Sequence, residues 1–343
     1  MTRFFTGFSN FLLRPKHEIL ALAMLEPSMK QPIVKDRVTG EVFEERVYGS
    51  SMLRILYPNC FIFKLLAFPL VQLVARLPLF SWLYGCMQKR SSSKKKIEPF
   101  IKSYHVNIQE VKKTSEQYES FDDFFTRKLI PSSRACEGDL IIPADGRYQV
   151  LESIDNDLMF NVKGSFLSLK KLTKSQKLAD RYAGGSLVIA RLAPPDYHRF
   201  HFPCTGTMMK PKRLRGPLFS VNPRAIKARP RILVKNKRML SEIDSPIYGK
   251  ILFIEVGATC VGTIHQTFYD RHRAQFDELG AMAADIGEEK GYFSFGGSCI
   301  LLLFEPGKVN FCEDLIIPKG EEASYEEVLC RFGQKLGASP NNS

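Results

Sequence analysis

The sequence has 343 residues, of which 44% are hydrophobic and 25% are charged, and this composition excludes a disordered, collagen-like or low-complexity chain. The length allows one large domain or two medium ones, with a sizeable core in either case. The 8 cysteines show no C-x-x-C spacing, which indicates thiols in a reducing compartment rather than a disulfide framework or a zinc site.

The net charge of +13 is concentrated in two regions. Residues 1–96 hold 15 Lys or Arg and 6 Asp or Glu, and residues 208–238 hold 11 Lys or Arg and no acid. Regions of this kind bind nucleic acid, an anionic membrane or a phosphorylated ligand, or form a solvated surface. The basic residues alone do not discriminate between these functions.

The first third of the chain predicts a helical region at a membrane surface. Residues 52–87 are strongly apolar, but charges and prolines interrupt them, and the longest uncharged run has 12 residues. A spanning helix needs about 18 apolar residues, whereas short aromatic helices with Lys and Arg lie in the interface plane. The basic segment 91–96 would then contact lipid phosphates. The alternative is a helical hairpin buried in the core, and no cleaved signal peptide is expected.

From residue 121 the pattern favours strands. FDDFF predicts a helical turn, and the runs SLVIARLA, KILFIEVG and SCILLLFE are typical of buried strands. Residues 325–332 suggest a closing helix. Without repeats or a long helix–strand alternation, a doubly wound parallel sheet is disfavoured. The predicted fold class is α+β, with a largely antiparallel β core in residues 97–343 and an N-terminal helical membrane-associated region in residues 1–96.

Three short segments contain candidate catalytic residues. PADG contains Asp145, although Asp-Gly is a common turn. DYHRFH places His198 and His201 three residues apart, as an acid and a base, as metal ligands or as structural residues. GGSC places Ser298 after two glycines and before a predicted strand, without the G-x-S-x-G pattern of a hydrolase elbow.

Asp145, one histidine and Ser298 would suffice for a nucleophilic triad. Because Gly297 has no Cβ, its backbone can adopt strained conformations that admit the Ser298 hydroxyl to the preceding carbonyl. Attack on the chain's own peptide bond is one hypothesis. A serine hydrolase that acts on lipids with an intact chain is a second, and a binding module for anionic membranes or nucleic acid is a third.

Taken together, these segments resemble the phosphatidylserine decarboxylase family, which are pyruvoyl-dependent enzymes made as proenzymes. The matching segments occur in the family's order over roughly residues 120–305: FDDFFTRKL, PADG, VKGSFLSLKKL, DYHRFHFPCTG, GPLFSVNP, NKR, VGATCVGTI and GYFSFGGSCI. The apolar, basic N-terminus resembles that of the longer bacterial and mitochondrial members. One difference is Cys299, where the family usually has Thr after the serine.

The resemblance implies self-cleavage between Gly297 and Ser298 into a β chain (1–297) and an α chain (298–343). Asp145 would orient His201, and His201 would take the proton from Ser298. Ser298 would become a covalent pyruvoyl group, whose ketone forms a Schiff base with the substrate amine and accepts the electrons left by CO2. His198 would assist decarboxylation or protonate the carbanion, and no metal is implied.

The implied reaction converts phosphatidylserine to phosphatidylethanolamine and CO2 in phospholipid biosynthesis. The sequence leaves open whether a related serine phospholipid is the substrate. Expected partners are an anionic membrane surface and the protein's own second chain, with a dimer of these heterodimers as a further possibility, and no nucleic acid. The expected location is peripheral (monotopic), on the cytoplasmic face of a bacterial-type inner membrane, with the mitochondrial inner membrane as the less favoured alternative.

Overall fold

The computed structural model describes residues 32–45, 69, 73, 78–154, 159–162, 165–222, 225–226, 231–258, 263–294, 296, 298–317 and 324–340. Most of the apolar zone predicted at residues 52–87 lies outside them, and so does Gly297. Of the helices in the described residues, none is long and apolar enough to cross a membrane.

Short α-helices connect and flank the strands. Their bounds are α1 Pro78–Lys89, α2 Ile97–Tyr104, α3 Phe121–Phe125, α4 Leu169–Thr173, α5 Gln176–Arg181, α6 Ile232–Lys235, α7 Thr267–Arg271 and α8 Arg273–Leu279. The strands are β1 Ile33–Asp36, β2 Val42–Glu44, β3 Gly146–Leu151, β4 Met159–Val162, β5 Ser165–Ser168, β6 Ser186–Leu192, β7 Arg199–His201, β8 Gly206–Met209, β9 Lys212–Leu214, β10 Arg238–Ser245, β11 Gly249–Val256, β12 Ile264–His265, β13 Ala281–Ala284, β14 Glu289–Phe293, β15 Ser298–Phe304, β16 Asn310–Phe311, β17 Glu327–Cys330 and β18 Gly337–Ala338.

An 11-stranded sheet forms the centre of the molecule. Its order is β13-β8-β10-β11-β15-β6-β3-β17-β1-β2, and β9 pairs with β10. Of the described pairs in this sheet, only β1 and β17 run parallel, which confirms the predicted α+β class with a largely antiparallel core. The predicted apolar strands are β6, β11 and β15. All residues of β6 and β15 are buried, as expected for strands covered on both faces.

A second sheet of three strands, in the order β12-β14-β7, packs on one face of the large sheet. The Phe200 ring in β7 lies 6.0 Å from the Phe253 ring in β11. In the same layer, the Lys290 ammonium in β14 forms a buried ion pair with Glu255 in β11. This packing brings the histidine-containing segment before and within β7 against the start of β15.

Helix α3 begins as the sequence predicts. The Ser120 side chain accepts a hydrogen bond from the Asp123 backbone N–H, which caps the helix, and the acids at 122 and 123 favour its N-terminus. Its aromatic residues pack in a separate cluster with α2, made of Ile97, Phe100, Tyr118, Phe121, Phe124 and Phe125. The last of them, Phe125, reaches the candidate site.

Two features differ from the sequence-based expectation. Residues 327–330 form strand β17 rather than a closing helix, because Val328 pairs with Tyr148 of β3 and Glu327 pairs with Val34 of β1. Strands β1 and β2 lie within residues 1–96, so the large sheet extends across the division predicted at residue 96.

Candidate active site

Ser298 is the first residue of β15 and is completely buried. It pairs with Leu192 at the end of β6, in the middle of the large sheet. Its hydroxyl oxygen lies 3.5 Å from Nδ1 of His198. Two residues earlier, Gly296 has a φ of 136°, which residues other than glycine rarely adopt. Gly296 therefore suits the turn ahead of the strand in which the Ser298 side chain lies inside the protein.

His198 lies just before β7 and is also completely buried. Its ring stacks on Phe125 with the centroids 4.0 Å apart, and its Nε2 lies 3.0 Å from the Ala193 carbonyl oxygen. Since a carbonyl only accepts hydrogen bonds, Nε2 carries the proton and Nδ1 presents its lone pair to Ser298. Burial lowers the pKa of His198 to about 3, and the charge of Arg127 acts in the same direction. The imidazole is neutral and faces the serine with an unprotonated nitrogen.

His201 lies in β7, with its ring stacked 3.8 Å from Phe332. Its Nδ1 is 2.9 Å from the Gly287 carbonyl oxygen, and its Nε2 is 3.1 Å from the Tyr197 hydroxyl. Burial lowers the pKa of His201 to about 4. Within the described part of the chain, neither Ser298 nor Asp145 is among the hydrogen-bond partners of its ring.

Asp145 lies in the turn before β3. Its carboxylate accepts a hydrogen bond from the Phe332 backbone N–H at 2.7 Å and one from Arg134 at 3.2 Å. Burial raises the pKa of Asp145, and the Arg134 charge opposes this shift. Asp145 and His201 thus share a neighbour, because the backbone of Phe332 binds the acid and its ring covers the histidine.

The structure therefore brings two of the four predicted residues into direct contact, Ser298 and His198. Asp145 and His201 lie on the two sides of one phenylalanine. Among the described residues, no group of three or more His, Cys, Asp or Glu side chains could hold a metal ion. The nitrogens of His198 and His201 lie within hydrogen-bond distance of carbonyl and hydroxyl groups of the protein.

A polar cavity of about 660 Å³ adjoins this arrangement. Asp145 and Tyr197 form part of its wall, together with Arg127, Arg134 and Ala193, whose carbonyl oxygen contacts His198. The cavity gives the carboxylate side of the site room for solvent or a small polar group.

Sequence reasoning missed the residues that orient the catalytic candidates. Phe332 has no local signal, because it reaches Asp145 across 187 residues of chain. Phe125 lies in the FDDFF segment, where its aromatic character was visible but its neighbour was not.

Cys299 points away from the serine side of the strand. Burial raises the pKa of its thiol to about 12, so it is an uncharged core residue.

Similarity to known proteins covers most of the chain. The family model for phosphatidylserine decarboxylase matches residues 121–338. A phosphatidylserine decarboxylase proenzyme from Chlamydia trachomatis serovar L2 is 38% identical over 90% of this chain and 97% of its own length. Proenzymes of the same name from Chlamydia muridarum (39% identical, 88% of this chain and 95% of the relative) and Clostridium tetani (38%, 88% and 96%) are similar to the same extent. The chain belongs to the phosphatidylserine decarboxylase family and is a decarboxylase.

Proposed function

From this membership we propose that the protein converts phosphatidylserine to phosphatidylethanolamine and CO2 in phospholipid biosynthesis, using a pyruvoyl group made from its own Ser298. The observation that carries the proposal is the buried Ser298 hydroxyl, which faces an unprotonated nitrogen of His198. The relatives' designation as proenzymes supports maturation by cleavage, and the resemblance implies that it occurs before Ser298.

The surroundings of residue 298 fit a pyruvoyl group. The position is buried, it starts a strand held on both sides, and Gly296 adds no side chain beside it. Such a group supplies an electrophilic ketone, absent from the standard side chains, that serves as an electron sink for decarboxylation. His198 is placed to hold or deliver a proton at the atoms attached to residue 298, and the ring of Phe125 keeps its imidazole in position.

For chain cleavage we propose that His201, supported by Asp145, removes the Ser298 proton, as the resemblance implies. The ring of His201 would leave the Tyr197 hydroxyl and the Gly287 carbonyl to do so. Phe332 stacks on His201 and donates its backbone N–H to Asp145, which supports a common role for the two residues. His198, already beside residue 298, would serve decarboxylation.

We further propose that the enzyme works at an anionic membrane surface as a peripheral protein. Helix α1 exposes three large apolar side chains, with Trp82 59%, Leu83 49% and Met87 55% accessible. The basic residues 89, 90 and 94–96 follow directly. An apolar helix face beside a row of cations is typical of interfacial helices, and a two-chain phospholipid substrate is found in the same place.

Denaturing electrophoresis and intact-mass analysis test the proposal. Cleavage before Ser298 should give fragments of about 34 and 5 kDa, on the average residue mass of this 39.1 kDa chain. The small fragment should lack a free amino terminus. Ser298→Ala should keep the chain at full length and abolish CO2 release from phosphatidylserine. A fully active protein that stays at full length would contradict the pyruvoyl mechanism and favour the lipid-hydrolase hypothesis.

A further inference from the structure

Lys237 lies in the same cross-strand row as Ser298. Arg238 pairs with Val256, and Val256 pairs with Cys299, so the preceding row runs from Lys237 through Gly257 to Ser298. The hydrogen bond from the Gly257 backbone N–H to the Lys237 carbonyl oxygen, 2.9 Å long, continues the pairing. Adjacent strands are about 4.8 Å apart, which separates the Cα atoms of Lys237 and Ser298 by about 10 Å.

Directly paired residues point to the same face of a sheet. The register therefore places Lys237 and Ser298 on the face that carries the three-stranded sheet, with the side-chain-free Gly257 between them. The nearest side chains to Gly257 are those of Leu218 and Ile264, at 3.5 and 3.7 Å from an added Cβ, and the Lys237 carbonyl oxygen also lies at 3.5 Å. The site thus has an apolar centre with the serine at one end and a lysine at the other.

Further cations gather around Lys237. Arg213 pairs with Met239 on the same face, and burial together with the Arg213 charge lowers the pKa of Lys237. Burial lowers the pKa of His265, and the charges of Lys89, at the end of α1, and Lys237 act in the same direction, whereas Asp122 and Asp270 oppose the shift. Residues 208–238 contribute no acid, so this edge is suited to an anion.

We propose that Lys237 and Arg213 bind the phosphodiester of the phospholipid whose amine reacts at residue 298. This inference rests on the proposed function. In a phosphoserine headgroup four bonds separate the amine nitrogen from the phosphorus, a span of about 5 Å, and a lysine ammonium reaches about 6 Å from its Cα. The two lengths together match the separation of the two residues.

The reaction itself favours the phosphodiester over the carboxylate as the bound anion. A cation held against the carboxylate would stabilise the group that must leave as CO2, and would raise the barrier to decarboxylation. The phosphodiester keeps its charge throughout the reaction, so a cation bound there adds affinity without opposing the chemistry. Lys237 and Arg213 would therefore act on substrate binding and not on the decarboxylation step.

The test measures steady-state kinetics on a short-chain phosphatidylserine kept below its aggregation limit. Lys237→Gln should raise KM about tenfold, the effect of losing one charge-assisted hydrogen bond, with kcat within about twofold. Lys237→Arg should restore KM. Inorganic phosphate should inhibit the wild type competitively and inhibit Lys237→Gln more weakly. The matched control is Lys235→Gln, an exposed cation two residues away on α6, which should leave KM unchanged.

Arg213→Gln supplies a second variant at an exposed side chain, and it should raise KM in the same sense if Lys237→Gln fails to mature. Unchanged KM in the Lys237 and Arg213 variants, or an equal change in Lys235→Gln, would overturn the inference. So would weaker binding of Lys237→Gln to anionic vesicles with an unchanged KM on monomers, since the cations would then bind membrane lipid. A wild-type chain that neither cleaves nor releases CO2 would instead refute the proposed function.

Discussion

In this site the neighbours of each residue determine its protonation and contacts more than its residue type does. His198 and His201 are three positions apart and both buried, yet one faces Ser298 and the other a carbonyl and a tyrosine. Burial keeps both imidazoles neutral, so each holds one lone pair available for a proton. The role of each histidine therefore depends on neighbouring groups that come from distant parts of the chain.

We predict that the two buried histidines lower the free energy of unfolding in mild acid. An unfolded histidine titrates near 6.5, whereas the folded pKa values are about 3 for His198 and about 4 for His201. As the pH falls below 6.5 the unfolded chain therefore binds protons first, and stability is lost. Between pH 7 and pH 5 the loss should be about 4 kcal/mol for the pair. Urea unfolding of the uncleaved Ser298→Ala chain measures it.

In the same background, His198→Gln or His201→Gln should remove about half of this pH dependence, whatever its effect on stability at pH 7. An unchanged dependence in both variants would mean that neither histidine is held neutral in the folded protein. The comparison is made on uncleaved chains so that differences in maturation do not enter.

Separate alanine variants divide the roles of the two histidines. His201→Ala should stop chain cleavage, because Ser298 loses its proposed base. His198→Ala should still cleave, at least in part, and lose decarboxylation by a factor of about 100 or more. Electrophoresis and CO2 release measure the two steps separately, with His272→Ala, between α7 and α8, as the control. Cleavage lost in His198→Ala and kept in His201→Ala would assign the base to His198.

The sequence predicts four candidate residues but not their contacts. Asp145, His198, His201 and Ser298 belong to short segments with recognisable residue types. The contact between Ser298 and His198 depends on strand register. The position of Phe332 between Asp145 and His201 depends on a side chain that lies far along the chain. Residue-type patterns carry no information about either.

Among the elements, strand β15 determines what cleavage does to the protein. Cleavage before Ser298 would leave this strand as the start of the α chain, still paired with β6 and β11 along its length. The same chain supplies β17, which pairs with β3 and β1. We therefore expect the 34 and 5 kDa fragments to coelute in gel filtration and to separate only on unfolding.

The ion pairs of Arg191 make this association testable. Its guanidinium, in β6, is buried between Glu45 and Glu327 at 2.5 and 2.6 Å, and Glu327 belongs to the α chain. Arg191→Met would leave the buried Glu327 carboxylate without its cation, whereas Glu45 keeps an ion pair with Arg147, and the expected cost is about 3–5 kcal/mol in stability. Arg181→Met, which removes a partly exposed pair with Glu242, should cost about 1 kcal/mol or less. Equal losses in thermal or urea unfolding would contradict this account.

Elements differ in how far the sequence predicts them. The apolar runs of β6, β11 and β15 are unambiguous because both faces of these strands are covered. The segment that forms β17 has an apolar, charged mixture that also suits a helix, and only its pairing with β3 and β1 decides the outcome. Strands β1 and β2 are too short to leave a pattern.

At the scale of the whole molecule, charge and apolar surface occur together beside α1. The chain has 1 tryptophan, and it lies on the exposed face of this helix, close in sequence to the basic residues 89, 90 and 94–96. Apolar burial is insensitive to salt, whereas attraction to anionic headgroups is screened within a Debye length of about 8 Å at physiological ionic strength. High salt should therefore weaken binding to anionic vesicles without abolishing it, and detergent should release the protein.

The exposed face of α1 gives a sharper test than deletion of residues 1–96, which would also remove β1, β2 and the Glu45 partner of Arg191. The combined variant Trp82→Glu, Leu83→Glu, Met87→Glu should lower vesicle binding at least about tenfold, since each side chain contributes about 1.5 kcal/mol or more when buried in lipid. Leu279→Glu, at a leucine that is 68% exposed on α8, should bind like the wild type. Activity on monomeric short-chain substrate should persist in the triple variant, while activity on bilayer substrate falls. Equal activity of the triple variant on both substrates, with unchanged vesicle binding, would show that α1 does not attach the enzyme to the membrane.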